Sequence, residues 1–433
     1  MSPTYTKYHS FKFSSPTLLR KLICYTLLLF SLYPTALHSQ TNYFNLLGDK
    51  ASIDIPFRYT GGFIVIAASI NGKDNINLIL DTGAENLILF NKEKSDEIGL
   101  LIDSEIKVKG SDIQGEAVAY ISRKNFVSLK GTAPLARDII ILKDNSLDLT
   151  HLVGIPIEGL LGARTFWGLV MKIDYSKQLL TLTRKSKFIP PHYIDPKYQE
   201  IDIEIKNHKP YIYNKVSSAP GNEVAIKTLI DSGSAIGFMI LLNTSEKLHL
   251  PPKFITGKLG KGLGGDIEGY IGKLHALSLS DQHRFNDIVS YYQNLSDYDN
   301  AQYYNHRNAV LGNPILSKFD LVIDYVDAKL YLKPNRFYKR KLKFDKSGMT
   351  VYAVGPKLNQ YVIQNIYENS PAAEVELLPN DIIKQIGFRP SFLLDLDIIS
   401  RIMQRKEGKK VKIVVERDGK KLVKRLILRD YLK

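Results

Sequence analysis

The sequence predicts a mainly β chain made of two like lobes, followed by a small α+β module. Three observations predict it: landmarks of the first half return 150 residues later in one register, apolar runs of strand length alternate with turn residues as far as residue 337, and the pattern changes beyond Pro334. Asp81-Thr82-Gly83 returns as Asp231-Ser232-Gly233, Leu160-Leu161-Gly162 as Val310-Leu311-Gly312, Ile173-Asp174-Tyr175 as Ile323-Asp324-Tyr325, and Gly115 with Tyr120 as Gly265 with Tyr270. Chance matches do not keep one register throughout.

The chain opens on residues 1–39, with a basic start, the apolar run Leu22 to Tyr33 and a short polar stretch ending near Ser39, the pattern of a secretory signal peptide. The run is about twelve residues, short of the roughly 20 that span a bilayer as a helix. The only cysteine, Cys24, falls inside this segment, so the mature chain is expected to form neither disulfides nor thiolate metal sites. An exported product is expected, placed in the periplasm, in the cell envelope or outside the cell.

With 433 residues, 44% of them hydrophobic, the chain has enough material for two or three packed domains. The formal net charge is +15, and loss of Lys7, Lys12, Arg20 and Lys21 with the leader lowers it to about +11. The basic residues are interspersed with acids rather than gathered in a stripe, which argues against a nucleic-acid partner.

In the first lobe, placed at 40–185, Phe63 to Ile70 and Ile76 to Leu80 read as strands joined by the hairpin signal Asn71-Gly72. The second strand ends at Asp81, where Gly83 permits a sharp backbone bend. Helical spacing appears at Lys92 to Ile98 and again at Ser245 to Leu250. Residues 186–199, with Pro190-Pro191 and Pro196, read as the linker between lobes. In the second lobe, placed at 200–337, Val224 to Ile230 feeds Asp231-Ser232-Gly233 as the earlier strand feeds Asp81. Lys339-Arg340-Lys341 reads as a solvated junction, with an anionic membrane contact as the other reading.

Residues 345–433 carry two short strands, then Ser370-Pro371-Ala372-Ala373, Leu378-Pro379-Asn380-Asp381-Ile382, a helix-like Leu396 to Gln404 and paired strands about Asp418-Gly419. This succession resembles a PDZ domain. The resemblance implies a loop at Gly348-Met349-Thr350-Val351 whose N–H groups face a peptide's terminal carboxylate, with a peptide adding as a strand beside it. The loop departs from the family pattern in having Thr350 at its usual second glycine, which leaves ligand binding and a packing or gating role equally open.

Each Asp-hydroxyl-Gly turn follows an apolar strand, and each is followed, 81 residues after its aspartate, by the glycine of an aliphatic-aliphatic-Gly segment. The pair resembles the catalytic loops of aspartic proteases, both pepsin-like single chains and retropepsin-like subunits. That resemblance implies a bilobal double β-barrel, peptide or protein substrates, Asp81 and Asp231 as the catalytic pair, and support from Thr82, Gly83, Ser232 and Gly233. It also implies that both aliphatic-aliphatic-Gly segments pass behind the aspartate loops. Two ionised carboxylates so close repel, so one keeps its proton, the charged one takes a proton from a shared water, and the other hydrogen-bonds the carbonyl oxygen under attack. Neither cofactor nor metal is required. Both lobes lie in one chain, so no obligatory dimer is expected.

Ala84 follows the first glycine and Ser234 the second; the retroviral enzymes resemble the alanine case and pepsins the hydroxyl case, in which a hydrogen bond favours the ionised acid. Hairpins with Gly110 and Gly115, and with Gly260 and Gly265, are the candidate flaps, and Tyr120 and Tyr270 are read either as cleft lining or as core. Gly260 to Gly265 also meets the G-x-G-x-x-G pattern, but a strand rather than a helix follows, which argues against a nucleotide loop. Asp174 and Asp324 read as structural turns, and the histidines lack ligand spacing. The rival readings are a secreted peptide-binding protein that has lost turnover and a β-rich envelope scaffold.

Overall fold

The computed structural model describes residues 42–109, 116–145, 147, 149–262, 265–294 and 307–432. The leading segment with Cys24, and Gly110 and Gly115 of the first candidate flap, lie outside the described residues. No helix among the described residues is long and apolar enough to cross a membrane.

Each lobe is a closed barrel of six strands. In the first, Phe63–Ile70, Lys73–Asp81, Gly159–Gly162, Leu87–Leu89, Leu135–Leu142 and Glu116–Leu129 follow one another, and the last pairs back onto the first. The second repeats this order with Lys209–Ser217, Glu223–Asp231, Ala309–Gly312, Phe238–Leu242, Arg284–Asn294 and Gly265–Ser278. Asn71 and Gly72 have φ of 49° and 78°, the double left-handed turn that a two-residue hairpin requires and that Asn-Gly accepts at little strain.

A sheet shared by both lobes lies between the barrels, in the order Ser52–Pro56, Leu179–Arg184, Leu169–Asp174, Phe319–Asp324, Lys329–Pro334 and Gln199–Lys206. At its centre Leu169–Asp174 runs antiparallel to Phe319–Asp324, and Lys172 stands opposite Val322, its own repeat mate. The pseudo-two-fold axis passes through that pair. One apolar cluster runs through both lobes, including Leu78, Leu80, Leu161, Ile173, Ile230, Leu311 and Ile323. Tyr120 and Tyr270 are partly buried and pack against it. Asp174 and Asp324 accept backbone N–H groups of the turns that follow them.

Lys92–Ile98 is a helix, capped by the Asn91 side chain at 2.7 Å from Lys94 N and closed by Gly99 at φ 80°. The helix expected at Ser245 to Leu250 is absent: these residues form a turn. Pro251 and Pro252 follow directly, and a residue before proline is pushed out of the helical region.

Residues 349–427 form a separate sheet in the order Met349–Val354, Gln360–Ile366, Ile382–Ile386, Lys410–Arg417 and Lys420–Ile427, with a core that includes Ile363, Ile383, Ile399, Met403, Ile413 and Leu426. Helix Leu396–Met403 is capped by Asp395, whose Oδ1 accepts from Ile398 N at 2.6 Å. Met349–Val354 lies at the sheet edge. The junction before this module is held rather than merely solvated: Lys318, 4% exposed, donates its ammonium to the carbonyls of Phe337 and Tyr338 at 3.3 and 3.4 Å and to that of Arg340, and Arg340 stacks over the Phe337 ring.

Candidate active site

Asp81 and Asp231 end equivalent strands, each in parallel register with a glycine: Asp81 opposite Gly162 and Asp231 opposite Gly312. These glycines lie under the aspartate loops. A Cβ on Gly162 would fall 2.5 Å from the Glu85 and Asn86 carbonyl oxygens, and one on Gly312 would fall 2.1 Å from Ile236 O. Only glycine lets the strand of Leu160-Leu161 or Val310-Leu311 lie so close behind its loop.

Four hydrogen bonds cross between the loops. Thr82 Oγ1 donates to Ile230 O at 2.7 Å and accepts from Ser232 N at 2.9 Å; Ser232 Oγ donates to Leu80 O at 2.8 Å and accepts from Thr82 N at 3.1 Å. Both hydroxyl residues are 1% exposed, and each hydroxyl donates one hydrogen bond and accepts another, which fixes one loop on the other.

Gly83 and Gly233 serve a different purpose from the bend expected of them. Neither has the positive φ that would demand glycine. A Cβ on Gly83 would instead meet Asp231 Cγ at 2.5 Å, and one on Gly233 would meet Asp81 Cγ at 2.3 Å. Each glycine leaves the room that the opposite lobe's carboxylate occupies, which brings both acids to the axis. Their N–H groups also point inward: Asp81 Oδ1 accepts from Gly83 and Ala84 at 2.8 Å each, and Asp231 Oδ1 accepts from Gly233 at 2.8 Å.

The two carboxyls differ electrostatically. Burial and then the charge of Asp231 push the Asp81 carboxyl well above the usual carboxylate range. Burial also raises Asp231, but the positive charges of Arg307 and Lys209 and the Gly233 N–H work against that rise. Both carboxyls are raised, and the opposing positive charges bear on the Asp231 side of the pair. Arg307 is buried, and Lys209 opens a strand whose register pairs Tyr211 with Leu229, which sets Lys209 level with Asp231. Neither residue carries a sequence motif. Ser234 does not serve the role expected of it, because its hydroxyl contacts the Ile236 backbone at 3.3 Å rather than Asp231.

The lobes also meet through hairpin turns. Gly62 lies on Ala235, with a Cβ there only 2.9 Å from Ala235 Cβ, and across the axis His208 Nδ1 stands 3.3 Å from Glu85 Oε1. Glu85 and Ala235 are repeat mates, so these are the same contact made twice with different chemistry. Buried Asn313 completes the joint. Its Oδ1 accepts from Tyr175 Oη at 2.7 Å, and its Nδ2 donates to Gly62 O at 2.8 Å and Ser232 O at 2.6 Å. Gly260 and Gly265 lie on the hairpin formed by Phe254–Gly262 and Gly265–Ser278, whose tip is outside the described residues. Phe344, Tyr367 and Tyr431 pack against its Leu259, Ile267 and Ile271, and Tyr367 Oη donates to Lys258 O at 2.7 Å. The C-terminal module thus covers one side of this candidate flap. No group of acidic, histidine or cysteine side chains able to hold a metal occurs among the described residues.

Residues 66–165 match the family model described as aspartyl protease, and residues 340–427 match that of the PDZ domain. The crystal structure of an aspartic proteinase from Irpex lacteus is similar at 12% sequence identity and a TM-score of 0.41, over 67% of this chain and 100% of that one. No curated protein matches the chain. The aspartyl protease match thus lies in the first of the two closed barrels, and the PDZ-domain match lies behind the second.

Proposed function

We propose that the chain is an exported aspartic endopeptidase in which Asp231 is the base and Asp81 the acid. The observation that carries this reading is the reciprocal fit of Gly83 to the Asp231 carboxyl and of Gly233 to the Asp81 carboxyl. Asp231, the carboxyl on which the Arg307 and Lys209 charges bear, accepts a proton from water as the oxygen attacks the peptide carbonyl. Asp81, kept protonated, hydrogen-bonds the carbonyl oxygen as charge develops on it. The Gly83, Ala84 and Gly233 N–H groups hold the carboxyls in their loops. Both aspartates are only half-buried, which leaves the dyad open to substrate. The leader-like residues 1–39 support export, and the aspartyl protease match suits peptide or protein substrates.

Protein beginning at residue 42, incubated with a mixed peptide library and read by mass spectrometry, tests the reading. Cleavage should fall about 10³-fold or more in Asp81→Asn and in Asp231→Asn. Binding without cleavage by the unaltered chain would instead support the peptide-binding rival.

A pH prediction follows from the asymmetry. The dyad titrates as one unit, so its acid limb reports protonation of the base and its alkaline limb loss of the acid's proton. Arg307 lowers the Asp231 pKa. Arg307→Gln should therefore shift the acid limb of kcat/KM to higher pH and narrow the profile. An unmoved limb would remove Arg307 from the dyad's electrostatics.

A further inference from the structure

The groove of the PDZ domain lies between its edge strand, Met349–Val354, and helix Leu396–Met403, and the chain itself fills it. His151 of the first lobe sets Nδ1 2.8 Å from Ala353 O, a carbonyl of that strand. Gly154 touches both walls, since a Cβ there would lie 3.2 Å from Leu396 Cδ1 and 3.9 Å from Ala353 Cβ. At the other end of the groove, the backbone N–H groups of Ser347 and Gly348 each donate at 2.8 Å to Asp345 Oδ1, and Met349 N donates to Ser347 Oγ at 3.3 Å. The first N–H of the loop that the PDZ resemblance assigns to a peptide's terminal carboxylate, that of Gly348, thus already binds an internal carboxylate.

The same helix reaches the Thr60-Gly61 turn of the first lobe. Asp397, in its first turn, accepts from Thr60 Oγ1 at 3.3 Å and from Gly61 N at 3.4 Å. A cavity of about 420 Å³ beside these contacts is lined by Tyr59 and Gly62 from the lobe and by Ser400, Arg401 and Gln404 from the helix. Gly62 is the residue that packs on Ala235 of the Asp231 loop and whose carbonyl accepts from Asn313. One continuous set of contacts therefore runs from the groove to the dyad loop.

We propose that this groove is an intramolecular docking site whose ligand is the Thr150 to Gly154 segment, that seating this segment holds the Gly61-Gly62 turn against the Asp231 loop, and that free peptide C-termini are not its ligand. An outside peptide has to displace a tethered competitor present at high effective concentration and also the Asp345 carboxylate. By linkage, whatever opens the groove also loosens the turn. The consequence for turnover rests on the peptidase reading; the occupancy does not.

Two measurements on the full chain from residue 42 test it. In Thr60→Cys/Asp397→Cys, the thiols, bridged by oxidation or a short bis-maleimide, should give the cross-linked species by mass spectrometry, and cleavage by the disulfide-bridged chain should stay within about twofold of its reduced form. No cross-link would overturn the seat, and a loss of tenfold or more that reduction restores would show that the working state is unseated. If the reduced and unaltered chains are equally inactive, the peptidase reading fails while the cross-link still reports the seat. Fluorescence anisotropy with one labelled peptide, ending either in a free valine carboxylate or in its amide, should show no preference. A preference of tenfold or more for the carboxylate would overturn the proposal.

Discussion

Gly83→Ala and Gly233→Ala are each expected to lower kcat/KM by about 10²-fold or more while the chain stays folded, because a misplacement of about 1 Å at the reacting groups costs that much. The new methyl on residue 83 would lie 2.5 Å from Asp231 Cγ and 2.7 Å from both its carboxylate oxygens; on residue 233 it would lie 2.3 Å from Asp81 Cγ. A carbon does not approach a carboxyl that closely, so the opposite acid must move off the axis. The contacts beneath the loops argue for survival of the fold, since the Thr82 and Ser232 hydrogen bonds lie on the far side of the dyad. Lys420→Ala, at an exposed position of the C-terminal module, is the control and should leave kcat/KM within about twofold. Activity of Gly83→Ala and Gly233→Ala within tenfold of the unaltered chain, with unchanged thermal unfolding, would separate these glycines from the chemistry.

Much of this arrangement was legible because its signals are local. Apolar runs ending at Asp81 and Asp231, the Asn71-Gly72 turn and the Leu396 to Gln404 periodicity are decided by neighbours in sequence, and the barrels follow from them. Ser245 to Leu250 shows the limit of spacing alone, since two prolines beyond the segment overrode it. The charge on the dyad was not legible. Arg307 and Lys209 act from other strands, and Ser234, which has the right chemistry at the right offset, turns to Ile236 instead. The closed groove was equally hidden, for it joins His151 to Ala353 and Thr60 to Asp397 across 202 and 337 residues. Beyond Ala84 and Ser234, the repeat fails at further positions that carry a signal. Ala235 against Glu85 and Asn313 against Ala163 mark places where the two lobes touch unequally.

That inequality predicts opposite outcomes for two equivalent tyrosines. Tyr175 and Tyr325 are repeat mates, both 4% exposed, each ending an Ile-Asp-Tyr segment. Tyr175 Oη donates to Asn313 Oδ1, but position 163, where the second tyrosine would look for the same partner, is alanine; Tyr325 Oη is buried with no hydrogen-bond partner among the described residues. A buried hydroxyl without a partner bears a desolvation penalty, whereas removing one half of a buried pair exposes the other half to it. Tyr175→Phe should therefore destabilise the chain by about 1 to 3 kcal/mol, and Tyr325→Phe should be neutral or slightly stabilising. Asn313→Ala should do more damage than either, about 3 kcal/mol or more, because it removes hydrogen bonds to Tyr175, Gly62 and Ser232 together and strands a buried hydroxyl and two carbonyls. Because Asn313 ties the Gly62 turn of one lobe to the Ser232 loop of the other, its loss should also reduce turnover at temperatures where the chain remains folded. Urea unfolding of the three variants, read with kcat/KM at the same temperature, checks both parts. Equal destabilisation by Tyr175→Phe and Tyr325→Phe would mean that Asn313 does not break the symmetry of the joint.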